Sequence, residues 1–239
     1  RNASPRFSRA TIHVQSDGLD QVQTIADEFV ELTKQEYQHK ENITVTITSL
    51  AGLPTEKPMS TAFLTTLLNT LDALPSGVIQ LEPEMTNVVR TSANLGVILS
   101  DHKTKTVNVT MMSRSLFDSA KNETARQIRS VFEMAKFTDI NDEAGYPSWT
   151  PNPESYILKE AITLFGKLFE QKPNITAMHV GVEPAVIKSK HDHPMEMLSL
   201  GPTILDAHSP SERLEISSVE RVYRYTKELI KFIADMEKI

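Results

Sequence analysis

The strongest constraint on the fold is a break in periodicity at residues 138–153, TDINDEAGYPSWTPNP, where Gly145, Pro147, Pro151 and Pro153 fall together. Proline removes a backbone donor and fixes φ, so neither a helix nor a central strand runs through such a stretch. The break divides the chain into two parts of different pattern. It also holds the only tryptophan, Trp149, so the junction is expected to be packed rather than a loose linker.

Before the break, residues 9–15 (RATIHVQ) and 42–49 (NITVTITS) alternate apolar and polar residues, as half-buried strands do. Between them Leu19, Val22, Ile25, Phe29 and Leu32 fall at helical spacing, and residues 60–74 form a second helical stretch. Strands are expected at 89–100 and 104–113, joined as a hairpin through the polar Asp101-His102-Lys103, followed by a helix at 116–136. The pattern implies an α+β layer, an antiparallel sheet with helices on one face.

After the break the pattern is α/β. Helices are expected at 154–170 and 218–236, with strands at 175–182 and 197–204 between them. Ser217 and Glu220 have capping-box spacing for the last helix. This part is short for an α/β domain with both sheet faces covered, and it reads as a portion of something larger. The chain also starts at Arg1 without Met and is read as a fragment.

Composition excludes several functions. A net charge of −6 and a pI near 5.7 argue against a nucleic-acid footprint, which needs a clustered basic face. No apolar run approaches the roughly 18 residues of a membrane helix. With no Cys, a disulfide framework and a cysteine nucleophile are both ruled out, and a cytoplasmic location is expected. There is no Gly-rich phosphate loop, His-Glu-x-x-His or Gly-x-Ser-x-Gly.

Four places carry candidate chemistry. His208, in LGPTILDAHSPSER, stands beyond the carboxyl end of an expected strand, where open α/β sheets place their sites. Its alternatives are a metal ligand and a loop histidine bonded to backbone. His191-Asp192-His193 has chelating spacing but lies in a polar loop, where solvated side chains are the rule. Glu183 ends HVGVE and either faces water or serves a site by orienting a histidine, binding an amine or contacting a metal. Arg114 ends VNVTMMSR, and its planar fork suits a carboxylate, although most strand-end arginines are surface residues.

LSLGPTILDAHSPSERLEISSVERVYRYTKELI resembles the closing segment of the Xaa-His dipeptidases, in the dizinc peptidase superfamily. RNASP, LPSGVIQ, VVRTSANLGVI, SRSLFDS, AGYPSWTPNP and KPNITAMHVGVE follow in the family's order, so the resemblance runs over nearly the whole chain. It implies a lid and dimerisation domain at 1–136 and the carboxyl-terminal segment of a split catalytic domain at 137–239. It implies hydrolysis of dipeptides with two zinc ions per site, most ligands and the general base coming from an amino-terminal segment not in this chain. By the resemblance His208 is the metal ligand that the returning segment supplies. Arg114 then holds the substrate carboxylate, Asn2 the peptide carbonyl or tetrahedral intermediate, and Glu183 lies near the substrate. A homodimer through the lid is implied as well. The family's Gly-Leu-Glu-Cys-Gly reads GVEPA here, a departure that bears on which dipeptide is preferred. The competing expectation is an inactive fragment or degenerate homologue serving as an oligomerisation or binding module.

Overall fold

The fold is that of a computed structural model. It describes residues 7–15, 17–38, 42–50, 57–143, 145–207 and 209–236. Two compact units meet in sequence between Thr65 and Thr66.

The smaller unit contains α1 (Leu19–Glu36), entered through a turn in which the Gly18 amide donates to Gln15 O at 2.9 Å. Asp20 in the first turn and Lys34 in the last complement the helix dipole. The expected apolar stripe is present, but Ile25, Phe29 and Leu32 remain exposed. Residues 9–15 and 42–49 are not strands. They lack a ladder, and alternation alone cannot make a strand without a neighbour to take its backbone groups. α2 (Thr61–Ala73) starts in this unit and continues into the larger one.

The larger unit is built on an antiparallel sheet in the order β1 (Gly77–Leu81), β2 (Val89–Asp101), β3 (Thr106–Ser115). The hairpin closes through Asp101, whose carboxylate accepts from the amides of Lys103 at 2.8 Å and Thr104 at 3.3 Å. This side-chain turn is what the polar Asp-His-Lys run encodes. α3 (Asp118–Met134) covers one sheet face. Ala93 from the sheet, Leu74, Ile128 and Phe132 form the core there, with Val109 and Met111 packed against it. Because side chains alternate along a strand, Ser92, Asn94, Met112 and Arg114 point to the opposite face. The expected α+β class, an antiparallel sheet with helix on one face, is the architecture found.

The junction is packed, as its tryptophan suggested. Arg129 on α3 pairs with Asp142 at 2.7 Å. The Ser148 amide donates to Asp118 at 2.9 Å, and the Thr150 hydroxyl to Leu116 O at 2.9 Å. Trp149 is half-buried.

Beyond the junction, α4 (Tyr156–Phe169) is capped by Ser155, whose hydroxyl accepts from the Leu158 amide at 3.3 Å and donates to the Glu196 carboxylate. α6 (Ile216–Met236) packs on α4 through Ala161, Tyr225 and Leu229, and the Tyr225 hydroxyl donates to Ala161 O at 2.7 Å. Between them lie a short helix, α5 (Glu183–Lys188), and a two-residue pairing of β4 (Ile204–Leu205) with β5 (Arg213–Leu214).

Several expectations are corrected here. Residues 175–182 have no strand pairing, and of 197–204 only Ile204 is paired. β1, α5 and β5 were not anticipated. α6 begins before the expected capping box. Its Ser217 hydroxyl bonds Glu215 at 2.7 Å, and the Ser218 hydroxyl bonds Glu215 O and accepts from the Thr203 amide at 2.9 Å. Glu215 thus competes successfully for the serine that the box would have used.

Candidate anion-binding site

Ser92 and Arg114 are directly paired across β2 and β3, on the face away from α3. Direct pairing brings their Cβ atoms within about 4.5–5.5 Å. Onto this face comes His179, whose Nε2 lies 2.7 Å from Ser92 Oγ. Partial burial and the nearby Arg114 cation both disfavour a charged imidazole, with burial the larger effect, so the His179 pKa is held below its ordinary value. Arg114 Nε lies 3.3 Å from Met112 Sδ, a weak acceptor, and no described carboxylate pairs with the guanidinium.

What brings residue 179 to the sheet is a chain of contacts running back to α3. Lys121 Nζ donates to Tyr146 O at 2.5 Å and pairs with Asp118 at 2.7 Å, which anchors the GYPSW stretch at the start of α3. The Tyr146 ring then lies against Gly181. A Cβ on Gly181 would stand 2.7–2.8 Å from three ring atoms, so only glycine allows this approach. The sequence motifs GYPSW and HVGVE therefore meet, and their meeting sets His179 above Ser92.

Glu183 starts α5 and is exposed, without an ion pair to any described residue. It lies on the same chain segment as His179 but is not gathered into the Ser92–His179–Arg114 group. Pro184 occupies the first turn of α5, where its missing N–H is no loss. Ala185 is helical and buried, so no glycine conformation is needed there. The GVEPA departure is thus absorbed by a helix start.

His191 and His193 are exposed. Among the described residues no three His, Asp or Glu side chains gather into a group that could hold a metal. Asn2 and His208 lie outside the described residues. Sequence reasoning missed His179 and Ser92. The available signal was period-two spacing: in AMHVGVE, residues 179, 181 and 183 share a side in an extended chain, and only Glu183 was weighed.

Two known proteins resemble this chain. Over 235 residues, 98% of the chain, it is 32% identical to the cytosol non-specific dipeptidase of Escherichia coli, of which it covers 47%. It superposes with a TM-score of 0.71 on the crystal structure of aminoacylhistidine dipeptidase from Vibrio alginolyticus, at 29% identity, over 90% of this chain and 43% of that one. Over the part it spans, this chain is similar to these two dipeptidases. No family model matches. The chain spans about half the length of these dipeptidases.

Proposed function

We propose that this chain is the lid (residues 1–136) and returning carboxyl-terminal segment (137–239) of a metal-dependent dipeptidase acting on Xaa-His-type peptides. The observation that carries this reading is Arg114. It is a guanidinium on the open sheet face without a described carboxylate partner, in a chain similar to two dipeptidases. A fork of that kind is suited to the free carboxylate of a short peptide. Asn2 and Glu183 are the proposed further substrate contacts.

The described residues do not by themselves make a zinc site, since a catalytic zinc takes about three protein ligands. In this reading His208 supplies one ligand, and an amino-terminal catalytic segment supplies the rest together with the general base. Zinc, when bound, polarises the scissile carbonyl and lowers the pKa of water. Two features of the fold favour a partner segment of that kind. Residues 175–182 and 197–203 run without a ladder, and α6 leaves Ile216, Val219, Tyr223 and Ile230 exposed along one stripe. The exposed strand β1 at the sheet edge offers a route to a homodimer through the lid. No helix among the described residues is long and apolar enough to cross a membrane, and the proposed location is the cytoplasm.

The test is hydrolysis of β-alanyl-histidine by the full-length protein, with and without chelation and zinc restoration. Arg114→Met is expected to raise KM by roughly ten- to a hundredfold, the worth of a charge-assisted hydrogen-bonded pair. This chain alone is expected to be inactive. A full-length protein that neither binds zinc nor cleaves dipeptides would instead establish the binding or oligomerisation module.

A further inference from the structure

The Arg114 face holds a second titratable group that the dipeptidase reading leaves unused. We infer that His179 and Arg114 together form a proton-linked anion site, in which a carboxylate paired with Arg114 draws a proton onto His179. This rests on the reading of Arg114 as the carboxylate anchor and extends it to a second residue.

The geometry supplies the coupling. Ser92 and Arg114 face each other across the ladder, and His179 is tied to Ser92 at 2.7 Å, so imidazole and guanidinium share one sheet face. While the site is empty, the guanidinium repels a proton on His179. A carboxylate against Arg114 neutralises that field and brings its own negative charge close to the ring, and both changes favour the imidazolium. The Ser92 contact survives the change, because a serine hydroxyl can donate to neutral Nε2 or accept from protonated Nε2–H. His179 can thus change charge without losing its tether.

The other groups on this face do not compete. β2 presents Ser92 and Asn94, β1 sets Val78 opposite Ser92, and β3 presents Met112 beside Arg114. From the segment of His179 itself come Glu183, exposed at the start of α5, and the Tyr146 ring packed on Gly181. Arg114 is the charged group whose field acts on the ring. His179 therefore acts as a positioning and specificity residue. It favours ligands that end in an anion and links their binding to pH in the range where imidazoles titrate.

The probe is N-acetylglycine, a carboxylate with no other group titrating near neutrality, and the control is its amide. Calorimetry on the full-length protein in two buffers of different ionisation enthalpy, between about pH 6 and 8, reads proton uptake directly. The expected result is net proton uptake on binding, greatest at pH values between the titration of the His179 ring without and with ligand. His179→Gln should still bind, more weakly, with no uptake, while Arg114→Met should lose binding. In the unsubstituted protein, the NMR titration of the His179 ring should move to higher pH when ligand is added. Arg114-dependent binding without uptake, uptake that persists in His179→Gln, or a ring titration that ligand does not move would each overturn the inference and leave the carboxylate anchor standing. Binding indifferent to Arg114→Met would overturn both.

Discussion

The hairpin β2–β3 and residues 175–182 were both expected to be strands, and only the hairpin is part of a sheet. β2 and β3 are neighbours in sequence, and a short turn at Asp101 closes them into a continuous ladder. Residues 175–182 carry the β-branched Ile175, Thr176, Val180 and Val182 of a strand, yet no described strand lies beside them. Alternation reports that a segment suits a pleated surface. Whether it joins one depends on a partner being within reach, and a local hairpin supplies its own. The returning segment is instead held by single side-chain contacts: Gly181 on Tyr146, His179 on Ser92 and Glu196 on Ser155.

Substitutions in the two regions should separate them. The largest effect is expected at Leu116, fully buried where β3 leads into α3. Leu116→Ala should cost about 2–5 kcal/mol in chemical denaturation. Next comes Gly181→Ala, where a methyl would meet the Tyr146 ring at 2.7–2.8 Å. A cost of about 1–3 kcal/mol is expected, largely relieved when Tyr146→Ala is added. Tyr225→Phe removes the hydroxyl bond to Ala161 O and should cost about 1 kcal/mol. Met178→Ala, at a side chain 62% exposed, should change the stability of this chain by less than about 0.5 kcal/mol. A larger cost for Met178→Ala in the full-length protein would mark that side chain as covered there, which sharpens the comparison.

The pH dependence separates the regions as well. The His179 pKa is lower folded than unfolded, so between the two values the unfolded chain binds more protons. Stability contributed by its neutral form is present above about pH 6.5 and lost as pH falls through the folded value. His179→Gln should flatten that part of a stability–pH profile. Glu82, paired with Arg90 at 2.9 Å beside the sheet, is shifted down chiefly by that hydrogen bond. Its contribution is present above about pH 4.5 and is lost at more acid values, so the two losses fall in separate windows.

Helices were the most legible elements, because a 3.6-residue apolar period spans many residues and proline marks its limits. α1, α3 and α4 lie within a few residues of their expected spans. The six-residue helix α5 and the two-residue strands β4 and β5 are too short to show a period. β1 follows a Pro-Ser-Gly turn and has every side chain exposed, so it lacks the buried half that makes a strand readable. At the site, Arg114 was legible as a strand-end cation. Ser92 and His179 were not, since they are 87 residues apart and meet only because Gly181 lets the chain close on Tyr146.

The most direct test of the central proposal is the zinc content of the full-length protein carrying His208→Ala, measured together with dipeptide hydrolysis. The account predicts that at least part of the zinc and nearly all hydrolysis are lost while the fold is kept. Unchanged zinc and unchanged activity would contradict it.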